Sequence, residues 1–168
     1  MFDAYLDIET TGLSPTTDTV TVVGIFLTDG RDCKLVQLVG EEITRDRFLE
    51  ALKDVRVIYT YNGSHFEVPF INISLGIDLA KHWRHCDLMF ECWRNNLYGG
   101  LKAVEAMLGI PRQLKGVSGA DAIRLWHKYQ KEQDRNSLAI LLRYNAEDVL
   151  NLKMLREKLP YMCKGSSP

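Results

Sequence analysis

Residues 4–10 read Ala-Tyr-Leu-Asp-Ile-Glu-Thr, an apolar strand pattern interrupted by two carboxylates. Successive side chains of a β-strand point to opposite faces, so Asp7 and Glu9 share one face while Leu6 and Ile8 share the other. A fold that buries this strand must satisfy two adjacent negative charges with hydrogen-bond donors or a cation.

The segments that follow say what the strand joins. After Asp18-Thr19 the β-branched run VTVVGIFLTDG ends in the turn signal Asp29-Gly30, and Cys33–Val39 alternates like a third strand. Three strands in succession predict an antiparallel meander. Thr44 suits the N-cap of a short helix with Phe48, Leu49 and Leu52 inward, and Val55–Tyr61 reads as the next strand, so a crossover connection is expected. A helix is expected after Asn62-Gly63, with Pro69 in its first turn and its end near Gly76. Arg84–Cys86 reads as a short fifth strand, and Asp87 as the cap of a helix. Gly99-Gly100 precedes a helix over 101–108, Gly119 opens one through Tyr129, and the last runs from about Asn136 to Leu159, before Pro160. The pattern predicts one α/β domain over residues 1–168, a mixed sheet of about five strands whose first three are antiparallel, with a flexible tail at about 161–168.

Composition narrows the class. Hydrophobic residues make up 46% and charged residues 26%, which excludes disordered and collagen-like chains. No stretch approaches the roughly 18 apolar residues of a membrane span, and no basic segment leads into an apolar one at the N-terminus. A cytoplasmic protein without membrane partners is expected, with Cys33, Cys86, Cys92 and Cys163 as free thiols. A net charge of −1 argues against nucleic-acid binding by bulk positive charge. The charge is uneven, however: residues 1–80 carry 6 Lys+Arg against 13 Asp+Glu, and residues 81–168 carry 15 against 9. Such a chain suits a polyanion held through metal ions on one side and Lys or Arg on the other.

In the final helix, Arg-Tyr-Asn-Ala-Glu-Asp-Val-Leu places Tyr144 and Asp148 four residues apart and so on one face, in register with Leu141, Leu152 and Leu155. Asp7, Glu9 and Asp148 directed at the sheet would repel one another unless a divalent ion sat among them. Oxygen-only ligation suits Mg²⁺ or Mn²⁺. Taken singly, Asp7 also fits an edge or turn residue, Asp148 the solvent border of its helix, and Tyr144 a half-buried core residue.

Together with their local wording these residues point further. DIETTGL, YNGSHFEVPF and YNAEDV occur in the order of three exonuclease motifs, and over nearly its whole length the chain resembles the ribonuclease H-like DnaQ superfamily of 3′→5′ exonucleases. The Tyr-x-x-x-Asp spacing resembles its DEDDy group, and NGSHFEVPF, GGLKAVEAMLGI and YNAEDVLNLKML are most similar to the YprB-like branch. The resemblance implies two metal ions, Asp7 bridging them, Glu9 and Asp148 on the ion that activates water, and Tyr144 orienting that water. It also implies contacts of Thr10, Thr11, Gly12 and Leu13 with the terminal nucleotide, Gly12 allowing close backbone approach. Asn62 and Phe66 match positions beside the second motif, as substrate-side candidates in a supporting and packing role, and Phe66 fits a core residue equally well.

One position departs from the pattern, since Glu67 stands where the family has Asp, lengthening the carboxylate arm by about one carbon–carbon bond. Glu67 is expected as a metal ligand or a ligand acting through water. His82, His85, Cys86 and Cys92 cluster in sequence at a spacing that matches no structural-zinc pattern. Lys102, Arg112 and Lys115 are candidates for phosphate contact or simply a solvated face. The expected activity is metal-dependent 3′→5′ exonucleolysis of single-stranded DNA or RNA, releasing nucleoside monophosphates. An endonuclease with the same metal site and a catalytically decayed nucleic-acid-binding module are the alternatives.

Overall fold

A computed structural model describes residues 1–159 of the chain; the expected tail and Cys163 lie outside the described residues. Strand β1 (Phe2–Thr10) is the centre of a five-stranded sheet, with β2 (Val20–Thr28) and β3 (Cys33–Val39) on one side and β4 (Val55–Thr60) and β5 (Arg84–Asp87) on the other, in the order β3-β2-β1-β4-β5. The first three strands form the expected antiparallel meander, with Asp7 opposite Gly24 and Glu9 opposite Val22. At the β2–β3 reversal the Asp29 carboxylate accepts the backbone N–H groups of Arg31 and Asp32, both at 2.9 Å.

Strand β4 then lies parallel to β1 and β5 parallel to β4. Parallel neighbours need a crossover, and α1 (Arg45–Ala51) supplies the first, opened by Thr44 Oγ1 accepting the Arg47 N–H at 3.3 Å. A turn of 3-10 helix, Gly40–Glu42, precedes it and was not anticipated. The remaining helices are α2 (Glu67–Leu75), α3 (Leu79–His82), α4 (Leu88–Arg94), α5 (Leu101–Met107), α6 (Gly119–Glu132) and α7 (Arg135–Lys158).

Three further elements differ from the sequence expectation. Helix α2 starts at Glu67 rather than directly after Gly63, because the Asp87 carboxylate holds residues 62–64 as a turn by accepting the N–H groups of Asn62 and Ser64 at 2.8 and 3.0 Å. Gly63 is required in that turn, since a Cβ there would lie 2.1 Å from Thr60 Oγ1. Helix α3 was missed, being only 4 residues capped by Asp78. Helix α6 continues past Tyr129 to Glu132 and stops where Gln133 takes the left-handed conformation at φ 53°.

Both faces of the sheet are covered, as its parallel half requires. Ala4, Leu6 and Ile8 pack with Phe48 of α1, Leu52 just after it, and Phe70 and Ile71 of α2. Tyr5, Val57 and Tyr59 face the other way, against Leu88, Val104, Val149, Leu152 and Leu155 from α4, α5 and α7. Each such Val, Leu, Ile or Phe side chain contributes about 1.5–3 kcal/mol by leaving water. Strand alternation carries the parity of Tyr5 on to Asp7 and Glu9, so the acidic pair points to the α7 side. No described helix is long and apolar enough to cross a membrane.

Candidate active site

Helix α7 has 24 residues and is opened by Asp134, whose carboxylate accepts the Asn136 N–H at 3.1 Å. Leu141, Tyr144, Asp148, Leu152 and Leu155 recur every three to four residues and are all buried. The apolar members seat α7 against β1 and β2, and the polar members are thereby brought over the acidic pair. One carboxylate oxygen each from Asp7, Glu9 and Asp148 lie within 4.8 Å of one another. Glu9 Oε1 is buried with no hydrogen-bond partner among the described residues.

Burial and mutual repulsion raise the proton affinity of the whole group. Asp7 and Glu9 are held well above the usual carboxylate range, first by desolvation and then by the nearby Asp148 charge. Asp148 is pushed up to about 6 by desolvation, with Arg112 pulling the other way. Three hard oxygen donors, one of them orphaned, fit a divalent cation such as Mg²⁺ or Mn²⁺, which would supply the missing positive charge.

Two networks hold the carboxylates. Asn145 Nδ2 donates to Asp7 Oδ2 at 3.0 Å and to the Asp7 carbonyl at 3.3 Å, while Asn145 Oδ1 accepts from Gln37 Nε2 at 3.0 Å. Gly24 makes room for this amide: a Cβ there would lie 2.1 Å from Asn145 Oδ1. On the other side the Arg112 guanidinium joins Glu105 of α5 to Asp148 Oδ1. Sequence reasoning missed Asn145, Gln37, Gly24 and Glu105. A glycine inside a β-branched strand, directly across from Asp7, was the one signal of a close approach.

The remaining candidates divide. Tyr144 is in place, its phenol pK raised by burial and then by Asp148, Glu9 and Asp7, so it keeps its proton as a hydrogen-bond donor. Lys102 Nζ lies 4.6 Å from the Tyr144 ring centroid and donates to the Val117 carbonyl. Together Asp7, Lys102, Arg112, Tyr144 and Asp148 line a cavity of about 490 Å³. Glu67 is buried with Oε2 unpartnered among the described residues, and its carboxyl is pushed up to about 8 by desolvation, with Asp87 and Asp148 adding to it. It is not one of the three carboxylates within 4.8 Å.

The other candidates are placed as follows. Gly12 is accounted for inside the chain, because a Cβ there would lie 2.4 Å from Asp18 Oδ2, a carboxylate that accepts the Ser14 N–H at 2.9 Å. Thr10 Oγ1 donates to the Gly12 carbonyl and Thr11 Oγ1 accepts the Thr19 N–H at 3.0 Å, so both hydroxyls brace this loop and leave Leu13 82% exposed beyond it. Phe66 packs on Phe70, ring centroids 4.9 Å apart, on the opposite, apolar side of the sheet. Asn62 takes φ 62° and is tied to Asp87 through its backbone. Arg112 is not a solvated residue: its side chain is 11% exposed among carboxylates, whereas Lys115 is exposed. Among the described residues His85 Nε2 bonds Thr60 Oγ1 at 2.8 Å, and no His or Cys joins a group with metal-ligand spacing. Cys33 and Cys92 are free thiols.

No curated protein sequence matches the chain. Its fold is similar to that of the family B DNA polymerase from the hyperthermophilic archaeon Pyrobaculum calidifontis, with a TM-score of 0.71 and 21% identity over 95% of this chain. The chain spans only 24% of that polymerase. It is also similar to Brucella melitensis NrnC bound to pGG, with a TM-score of 0.62 and 21% identity over 94% of this chain and 71% of NrnC. NrnC with bound Mg²⁺ gives a TM-score of 0.50 at 15% identity, covering 98% of this chain and 90% of that one. The family profile matches residues 4–160, the span that holds the acidic cluster, α7 and all of the sheet but the first two residues of β1, and by that match the chain belongs to the RNase_H superfamily.

Proposed function

We propose that this chain is a metal-dependent 3′→5′ exonuclease that hydrolyses terminal phosphodiester bonds of single-stranded DNA or RNA and releases nucleoside monophosphates. The convergence of Asp7, Glu9 and Asp148 to within 4.8 Å, beside the protonated phenol of Tyr144, carries the reading. It is supported by the fold of NrnC, a protein described with bound pGG and with bound Mg²⁺. The Tyr144–Asp148 spacing supports a DEDDy-type assignment within the family, with the YprB-like branch as its nearest wording.

Divalent ions held by these carboxylates, two by the family resemblance, would when bound supply activation of a water and compensation of the charge on the attacking and leaving oxygens. The chain's own residues do the rest. Asp7, Glu9 and Asp148 supply the hard oxygens, and the Tyr144 hydroxyl donates a hydrogen bond that aligns the attacking water or a phosphate oxygen. Lys102, at the rim of the same cavity, draws the anionic backbone toward the carboxylates, which alone would repel it. Glu67 supports the site from outside the trio, through a water.

The test is digestion of 3′- and 5′-end-labelled DNA and RNA strands with Mg²⁺ or Mn²⁺, with Asp7→Ala as control. Stepwise loss from the 3′ end that vanishes in chelator and in the variant is expected; internal cuts would establish an endonuclease instead. A second reading is favoured by one observation, the absence of Glu67 from the trio: a nucleic-acid-binding module without turnover. Strand binding with no cleavage under either ion would establish that one.

A further inference from the structure

We propose that Arg112, clamped by Glu105, is the positioning residue for Asp148: it occupies one carboxylate oxygen and thereby sets the direction in which the other is offered to a divalent ion. The inference rests on reading the acidic trio as a metal site and concerns what aligns it. Arg112 donates Nε to Glu105 Oε2 and Nη2 to Glu105 Oε1 at 2.9 Å, a two-point pairing, and the same Nη2 reaches Asp148 Oδ1. Glu105 is 1% exposed, so its charge is compensated within the protein rather than by water. A planar guanidinium fork can serve both carboxylates at once; an ammonium cannot reproduce that geometry.

A second contact locks the arrangement. Arg112 lies in the loop between α5 and α6, and Glu147, the residue before Asp148 on α7, accepts the backbone N–H groups of Gln113 and Leu114 at 2.5 and 3.2 Å. The loop is therefore fastened to α7 beside the carboxylate that Arg112 directs. Helix α5, the loop and α7 form one connected brace, and a swing of Asp148 would have to break its contact with Arg112. Partners of this kind behind a metal ligand are worth about 10–100-fold in metal affinity.

The experiment titrates Mn²⁺ into the chelator-treated protein by calorimetry, using the unaltered chain, Arg112→Lys, Glu105→Gln and Asp148→Asn, each checked for native circular dichroism. Arg112→Lys keeps the charge and removes the fork, so about 10–100-fold weaker Mn²⁺ binding in a folded variant reports lost alignment. Glu105→Gln keeps Arg112 and Asp148 and is expected to weaken binding in the same direction, which preserves the test if one variant fails to fold. Unchanged affinity in the folded variants, with Asp148→Asn still losing the ion, overturns the positioning role and leaves the metal site standing. Absence of Mn²⁺ binding by the unaltered protein overturns both.

Discussion

Gly24 is the smallest residue in the acidic neighbourhood and one of the most constrained. A methyl group there would lie 2.1 Å from Asn145 Oδ1 and 2.8 Å from its Cγ, so Gly24→Ala must displace the amide that holds Asp7. The expected cost is about 1–3 kcal/mol from buried hydrogen bonds left unmade, read by urea denaturation, together with weaker Mn²⁺ binding. Native stability and affinity would show that the backbone absorbs the methyl. Tyr144 calls for the opposite pattern. Its phenol is assigned to the water or phosphate, not to an ion, so Tyr144→Phe should slow cleavage about 10²–10⁴-fold while calorimetric Mn²⁺ affinity stays put. A collapse of affinity in that variant would reassign the hydroxyl to the metal site.

At the scale of elements, Asp87 joins three pieces of structure. It ends β5, caps α4 by accepting the Met89 N–H at 3.1 Å, and holds the turn before α2 through the N–H groups of Asn62 and Ser64. Its role as a cap was legible, because an Asp directly before an apolar helical run is a local signal. Its grip on residues 62–64 was not, since those lie 23–25 positions earlier. Asp87→Ala is expected to destabilise the protein by about 2–4 kcal/mol, a lost cap plus charge-assisted hydrogen bonds to the turn, and to slow cleavage by loosening the start of the Glu67 helix. A loss of only about 1 kcal/mol in chemical denaturation, the value of a bare cap, would mean the turn holds itself. The two missed elements, Gly40–Glu42 and α3, are too short to show a helical period; α3 had the Asp78 cap as a local signal, and Gly40–Glu42, preceded by Val39, has no side-chain cap.

At the scale of the whole molecule, the acidic cluster makes stability depend on pH. The folded protein holds protons on Asp7, Glu9, Asp148 and Glu67 more tightly than an unfolded chain, Asp148 to about pH 6 and Glu67 to about pH 8. Because the folded state binds more protons, the contribution of these groups is full below the ordinary carboxylate range and is lost as pH rises through the folded values. The surface aspartates Asp29, Asp78, Asp121 and Asp134 are shifted down, so their contribution is lost on acidification, below that window. His85, held down by burial, offsets part of the loss near its ordinary pK of 6.5. The ion-free protein should therefore melt at a lower temperature at pH 8 than at pH 6, and Mn²⁺ should narrow the gap by compensating the ionised carboxylates. Equal melting temperatures without the ion would contradict the cluster's electrostatics.

What the sequence determined by itself was local. The two-residue period of β1 puts Asp7 and Glu9 on one face, the four-residue step of α7 aligns Tyr144 with Asp148, and caps at Thr44 and Asp87 mark helix starts; each depends only on neighbours along the chain. Tertiary structure decided which atoms meet. Asn145 reaches Asp7 across 138 positions, Gln37 reaches Asn145 across 108, and Arg112 reaches Asp148 across 36. It also filled the space above Gly12 with Asp18, and buried Arg112 between Glu105 and Asp148 rather than leaving it to solvent. No local period encodes these contacts, because they follow from how α5, α6 and α7 settle on the sheet once their apolar faces leave water.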